Sequence, residues 1–290
     1  MARNALDTDI AWQLILDAAN RSNITLPAPG SDQPALKING KSWELVQPAS
    51  EQVHSLFSLF MPLCRPLKDA NSIRVIGQLG QSLDGRIATV TGCSRFINGD
   101  DGITHLHRIR ALCDAVVVGA GTASTDNPRL TVRRAPGRNP VRVVIDRHER
   151  VPASHHLFTD KAAPTLHLVA GHYQPGQQRI EPGAVTRVPC LGSSSDTQPV
   201  DPKHILEVLQ DLGLRKIFIE GGGVTVSSFL RAGLLDRLHV MVAPMIIGSG
   251  RPAFSLPEID QLDEALRPEA QLVNLGSDML FDLSFYPDRS

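Results

Sequence analysis

The feature that most narrows the fold is a series of short, almost wholly apolar runs, each ending in glycine or an acidic residue. Residues 115–118 run into Gly119, residues 141–145 into Asp146, and residues 216–219 into Glu220 and three glycines. Strands without polar alternation are buried on both faces, which is the mark of a parallel sheet. Between them, residues 101–112 and 202–212 carry apolar side chains at helical spacing. Asp100 or Asn98 is the expected cap of the first, and Asp201 with Pro202 opens the second. Further strands are expected over 73–79, 165–170, 238–242 and 280–285, and a helix after the glycines ends at Gly233. Strands that alternate with helices in this way indicate an α/β fold, with a mostly parallel sheet flanked by helices on both faces.

Residues 1–70 are of another kind and are read as an N-terminal extension of unknown role, with the main domain over 71–290. A helix capped by Asp7 or Thr8, a Pro/Gly-rich linker over 25–34, a hairpin around Asn39-Gly40 and a helix over 53–63 are expected there. No chemical motif occurs in this stretch.

Three segments carry the candidate chemistry. The first is Glu220-Gly-Gly-Gly-Val-Thr-Val-Ser-Ser228. Glycines let backbone N–H groups approach a ligand, and the helix start adds partial positive charge, so the pattern suits a diphosphate. Thr225, Ser227 and Ser228 add hydroxyls. A plain strand-to-helix turn that needs glycine for steric reasons fits the same residues. Glu220 stands at the carboxyl end of its strand, where ligands of open α/β sheets bind; it is either a group that orients substrate or moves a proton, or a helix-start carboxylate. The second segment runs from Gly119 to Arg133. Gly121 and Thr122 can open a helical turn facing a phosphate, and Arg133 with Arg134 offers fixed positive charge, or a solvated loop. The third is Gln78-Leu-Gly-Gln-Ser-Leu-Asp-Gly-Arg-Ile-Ala88, where Asp84-Gly85 marks a tight turn and, by itself, a hairpin.

Composition closes several other routes. Lys plus Arg is 29 against 30 for Asp plus Glu, a net charge of −1, which gives no electrostatic case for nucleic acid or a membrane surface. Aromatic residues are 4%, too few for base-stacking platforms. No apolar run reaches the ~20 residues of a membrane span, and the start shows no signal-peptide pattern. Four cysteines without a CxxC pair give neither a zinc motif nor a disulfide framework, so a reducing, cytoplasmic setting is expected. The histidines lack metal spacing: His105 and His107 are two apart, and His155 and His156 adjacent.

Taken together, QSLDGRIA, SRFI, HRIRALCDAVVVGAGT, DNPRLTVR, VRVVID, IEGGG and LLDRLHVMVAPMIIGSG resemble the reductase domain of the bifunctional riboflavin-biosynthesis deaminase/reductase over residues 73–286. The order and spacing of these pieces are specific where each alone is weak. The resemblance implies a dihydrofolate-reductase-like fold, a homodimer and NADPH. It also implies reduction of the ribosyl group of a phosphoribosylaminopyrimidine to ribityl, with a small phosphorylated pyrimidine as the partner. Carried over by residue, it implies NADPH contacts at Gly80, Phe96, Thr122, Asp126, Gly222, Gly223, Val224, Thr225, Val226, Ser227 and Ser228. The implied substrate contacts are Ser94, Arg110, Leu130, Arg133 and Glu220, with Arg110 and Arg133 on the phosphate and Glu220 also the catalytic residue; no metal is expected.

The chain departs from the family at Gln78, where lysine is usual, at Phe96, where tryptophan is common, and at Asn127, where a second aspartate is common. The H-x-E and P-C-x-x-C zinc signature of a deaminase is absent. A same-fold reductase of another heterocycle, such as a pteridine, and a non-catalytic nucleotide-binding protein are the alternatives. For a 2′-phosphate, Arg95, Arg147 and Lys161 are equivalent candidates.

Overall fold

The computed structural model describes residues 5–94 and 97–286. They fall into two compact units, 5–72 and 73–286.

In the first unit, helix α1 (Thr8–Ala18) starts on Asp7, whose carboxylate accepts from the N–H groups of Asp9 and Ile10. Strands β1 (Ile24–Pro27), β2 (Pro34–Asn39) and β3 (Ser42–Leu45) form an antiparallel sheet, and helix α2 (Glu51–Cys64) follows. The Asn39-Gly40 hairpin is present, but most of the expected linker is structured. Leu26 is buried in β1, and the turn between β1 and β2 takes up only the middle of that stretch. The core of this unit is its own, with Trp12 edge-on to Phe60 at 5.2 Å.

The second unit opens with β4 (Arg74–Ser82), β5 (Arg86–Ala88) and α3 (Asp100–Leu112). It continues through β6 (Ala115–Gly119), α4 (Ala120–Asp126), β7 (Val141–Ile145), α5 (His156–Thr159), β8 (Thr165–Val169) and β9 (Val185–Pro189). It ends with α6 (Pro202–Asp211), β10 (Lys216–Glu220), α7 (Gly223–Arg231), β11 (Arg237–Ala243), β12 (Arg251–Pro252), β13 (Glu269–Leu275) and β14 (Asp278–Ser284). Nine strands make one sheet in the order β13-β14-β11-β4-β10-β6-β7-β8-β9. The run from β11 to β9 is parallel, and β14 and β13 close one edge antiparallel. This is the mostly parallel α/β sheet expected from the apolar runs.

Strand alternation divides the two faces. Val75 and Leu79 of β4, Ile217 and Ile219 of β10, and Leu238 and Val240 of β11 pack with α6 and α7 in one apolar core. The opposite face, beneath α3, is polar at its centre. Asp282, His239, Gln78 and Glu220 lie side by side on four neighbouring strands, in register.

Four local expectations are corrected. Helix α3 is capped by Gly99, not by Asn98 or Asp100. The Gly99 N–H donates at 2.9 Å to Asp278, a carboxylate delivered from β14, so no local side chain is needed. The turn at Asp84-Gly85 is tight, but β5 pairs with β12 and not with β4, so it closes no hairpin. The Asp84 carboxylate instead accepts from the N–H groups of Ile247 and Gly248, tying the turn to a distant glycine-rich loop. Strands β9 and β13 were not expected; both lie at sheet edges and are largely exposed, which removes the apolar signal.

Candidate active site

The carboxyl ends of β4, β10 and β6 open onto a cleft of about 370 Å³. Gln78, Gly80, Ser94, Asn98, Thr122, Asp126, Leu130, Glu220, Gly222, Met241 and Arg251 are among the residues that line it. A second cleft of about 610 Å³ lies beside it, lined by Thr122, Asp146, Arg147, His148, Arg150, Gly222, Gly223, Val224, Thr225 and Arg251 among others. The two share Ile87, Gly121, Thr122, Gly222 and Arg251. An extended, two-part ligand can therefore lie across the strand ends of β6 and β10.

The glycines between the clefts are sterically required. A Cβ on Gly223 would stand 2.3 Å from the Ala253 carbonyl oxygen, and one on Gly119 would stand 2.6 Å from the Thr225 hydroxyl. The Gly222 N–H donates to the Thr122 hydroxyl at 3.0 Å, which joins the end of β10 to the start of α4. The start of α7 is thus held open to the clefts, with its backbone N–H groups and helix dipole directed there.

Glu220, the last residue of β10, is anchored from α3. Arg110 Nε donates to its Oε2 at 2.7 Å and Arg110 Nη2 to its Oε1 at 2.5 Å, while Arg110 Nη1 holds the Thr131 carbonyl at 2.9 Å. The Arg110 and Glu220 side chains are 7% and 15% exposed. A bidentate pair in such a setting fixes the carboxylate plane and neutralises its charge. It also commits the Arg110 fork, so the cation nearer solvent is Arg133, whose Nη1 rests on the Thr131 hydroxyl at 2.6 Å. Burial, and then the neighbouring Arg110, hold the Arg133 pKa below its ordinary value. Leu130, between these groups and the cleft, is buried with φ 53°, a left-handed conformation that costs a leucine about 1 kcal/mol or more.

His107 supports the same loop. Its Nδ1 accepts the Arg133 N–H at 2.9 Å. Burial first, then the charges of Arg110, Arg133 and Arg134, lower its pKa to about 4. The unfolded chain takes up this proton near pH 6.5 and the folded chain only near pH 4. The associated stability is complete above pH 6.5 and is lost as pH falls toward 4, by about 2–3 kcal/mol. Buried His105 adds in the same direction. Urea unfolding followed from pH 7.5 to 4 is expected to show this decline, and His107→Gln, which keeps an acceptor but does not titrate, should remove the His107 share.

The candidate residues fall into three groups. Gly80, Ser94, Thr122, Asp126, Leu130, Glu220 and Gly222 line the first cleft, and Gly222, Gly223, Val224 and Thr225 line the second. Val226 and Ser227 are buried within α7, Ser228 bonds back to the Thr225 carbonyl, and neither Arg110 nor Arg133 lines a cleft directly. Phe96 lies outside the described residues. From the sequence Asn98 is expected only as a helix cap, and Arg251 is not marked at all. Arg251 follows Gly248-Ser-Gly250 directly after an apolar strand, and that glycine-rich exit was the available signal.

Comparison with known proteins identifies the family of the chain. The family described as the RibD C-terminal domain matches residues 74–281. A 2,5-diamino-6-ribosylamino-4(3H)-pyrimidinone 5′-phosphate reductase of Methanothermobacter thermautotrophicus is 38% identical over 215 residues, covering 72% of this chain and 96% of that protein. The riboflavin biosynthesis protein RibD of Aquifex aeolicus is 32% identical over 208 residues, covering 71% of this chain and 56% of that protein, so the chain spans little more than half of that longer relative. Among solved structures, the Thermotoga maritima diaminohydroxyphosphoribosylaminopyrimidine deaminase/5-amino-6-(5-phosphoribosylamino)uracil reductase superposes with TM-score 0.58 at 26% identity, covering 82% of this chain and 64% of that one. Acinetobacter baumannii RibD superposes with TM-score 0.61 at 24% identity, covering 80% and 62%, a likeness of fold. The extent of the match and the identity to these relatives establish that this chain belongs to the RibD C-terminal domain family.

Proposed function

We propose that this chain is an NADPH-dependent reductase that converts the ribosyl group of a 5-amino-6-(5-phosphoribosylamino)uracil-type substrate to ribityl, in riboflavin biosynthesis. The observation that carries this reading is the pair of adjoining clefts, with the glycine-rich turn into α7 between them and an anchored carboxylate in the first. The residues present fit a dinucleotide: Gly222 and the N–H groups at the start of α7, where Gly223 packs closely on the Ala253 backbone, suit its diphosphate. NADPH supplies a hydride, and the rest of the chemistry is binding, orientation and charge. Glu220, fixed by Arg110, orients a hydroxyl or amine of the opened sugar and can relay its proton. Arg133, on the exposed side of the Arg110 pair, is the cation for the substrate phosphate.

The choice of NADPH over NADH is supported by the loop after β7. Asp146 accepts the N–H groups of Arg150 at 3.0 Å and Val151 at 2.9 Å and so shapes the loop that turns His148 and Arg150 toward the second cleft. Arg147 lines the same cleft, but its guanidinium is bonded to the carbonyls of Leu191, Asp196 and Gln198. Lys161 lines neither cleft, and Arg95 lies outside the described residues. His148 and Arg150 are therefore the preferred 2′-phosphate partners.

The proposal includes a cytoplasmic homodimer. Exposed Leu256, Ile259, Leu262, Leu266 and Leu272, leading into and along edge strand β13, support a partner there. No helix of the described residues is long and apolar enough to cross a membrane.

Fluorescence titration with NADPH and NADH, followed by a stopped assay on the phosphorylated pyrimidine, tests the reading. Tighter binding of NADPH and its oxidation by that substrate are expected. Arg150→Ala should narrow the NADPH preference about tenfold, the loss of one charge-assisted bond. No NADPH binding at millimolar concentration would remove the proposal.

A further inference from the structure

Two side-chain ends at the first cleft are buried and have no hydrogen-bond partner among the described residues. Gln78 is 3% exposed. Its Nε2 donates to the Met241 sulfur at 3.6 Å, and its Oε1 meets no donor. A thioether can only accept, so the amide nitrogen belongs on the sulfur and the carbonyl is the open end. Asn98 is the complement. Its Nδ2 is buried without an acceptor, while its Oδ1 lies over Gly80, where a Cβ would come within 1.8 Å of it.

The two amides share one corner. Gly80 stands two residues beyond Gln78 on β4 and so on the same face of the sheet. Met241 is the ladder partner of Gly80. A Cβ on Gly102 would meet Met241 Sδ at 2.9 Å and Asn98 Cβ at 3.5 Å, so the sulfur that Gln78 bonds lies near Asn98 as well. Both residues line the cleft. The neighbouring polar groups on this face are already committed. Glu220, in register with Gln78, is held by Arg110. His239, in register on the other side, is bonded through Nδ1 to His105 and has its Nε2 at 3.2 Å from Asp282. Buried polar ends left open in this way are rare and call for a partner.

We propose that Gln78 and Asn98 form an acceptor–donor pair that reads an amide edge of the bound ligand. Gln78 Oε1 takes an N–H, and Asn98 Nδ2 gives to the adjacent C=O. Two ligands of the proposed reaction carry such an edge: the lactam of the pyrimidinone ring and the carboxamide of the nicotinamide. The identity of these ligands rests on the proposed function; the pair itself does not. A ligand that lacks either half of the edge leaves one buried amide end unpaired, so the pair acts as a specificity filter.

Gln78→Met keeps the side-chain length and removes the carbonyl, and Asn98→Asp turns the donor into an acceptor. Ligand-free Gln78→Met is expected to melt higher than wild type by about 2–4 °C, because an unpaired buried group is gone. A purely structural glutamine would give the opposite sign. Binding is then measured with NADPH and with its 3-acetylpyridine analogue, which keeps the carbonyl but lacks the amide N–H. If the carboxamide is read, wild type binds the analogue about tenfold more weakly than NADPH, and Gln78→Met binds both at that weaker level. If the pyrimidinone is read, both variants bind both cofactors as wild type does, while KM for the pyrimidinone rises about tenfold or more. Wild type that binds NADPH but turns over no pyrimidinone would defeat the proposed function and leave the melting and carboxamide tests decisive for the pair. Variants that handle every ligand as wild type does, or a Gln78→Met protein that melts below wild type, would overturn the pair.

Discussion

Arg110→Met is expected to lose about 3–5 kcal/mol of stability and to lower turnover by about 10²–10⁴-fold. The substitution keeps the bulk of the side chain but removes the guanidinium from both oxygens of Glu220 and from the Thr131 carbonyl. A carboxylate that is 15% exposed is then left without its cation, and the segment carrying Leu130 in its left-handed conformation loses a tether. The double variant Arg110→Met/Glu220→Gln removes the uncompensated charge. It should recover about 2 kcal/mol relative to the single variant while remaining inactive. Urea unfolding of wild type, both singles and the double gives the cycle. A single-variant loss below about 1 kcal/mol would mean that the pair does not hold this site together.

The second large effect is expected at Gly223. An alanine there would drive its methyl against backbone, 2.3 Å from the Ala253 oxygen and 2.9 Å from the Pro252 oxygen, and neither atom can swing away as a side chain can. The start of α7 must retreat from the loop that carries Arg251. About 1–3 kcal/mol of stability should be lost, and NADPH affinity should fall more than tenfold, as the amide donors leave their positions. Gly121→Ala is the folding control, because a Cβ at Gly121 meets nothing within 4 Å. Equal melting temperatures for the two variants would contradict this account.

The sheet was legible because its inner strands are short runs made mostly of apolar residues. The sequence marks β6, β7 and β10 almost to the residue, because apolar residues dominate them even with Arg142 inside β7 and Lys216 at the head of β10. Strands β9 and β13 were not legible, because an exposed edge strand lacks that signal. The cap of α3 could not be found locally, because its carboxylate is Asp278, far along the chain. The glycine-rich turn after β10 and the carboxylate before it announced themselves by residue type. Two things in the site did not. The commitment of Arg110 to Glu220 is a tertiary fact: a guanidinium in a sequence looks available for phosphate whether or not a carboxylate has claimed it. Asn98 is one polar residue in a polar loop, and only its position over Gly80 gives it meaning.

The position of β4 between β10 and β11 has a consequence for how the chain is made. As the polypeptide leaves the ribosome, β6 through β9 can assemble into a parallel ladder early. The first strand of the unit has no neighbour to join, since residues 216–220 and 237–243 are translated long after it. Until then its two hydrogen-bonding edges are open to any passing strand. Completion of the cleft is therefore a late event that waits for the C-terminal third of the chain, and folding is slow, because its decisive contacts are distant in sequence. In a cell, the nascent protein is most vulnerable to misassembly during that interval, and a chaperone that shields the 74–82 segment would act on it.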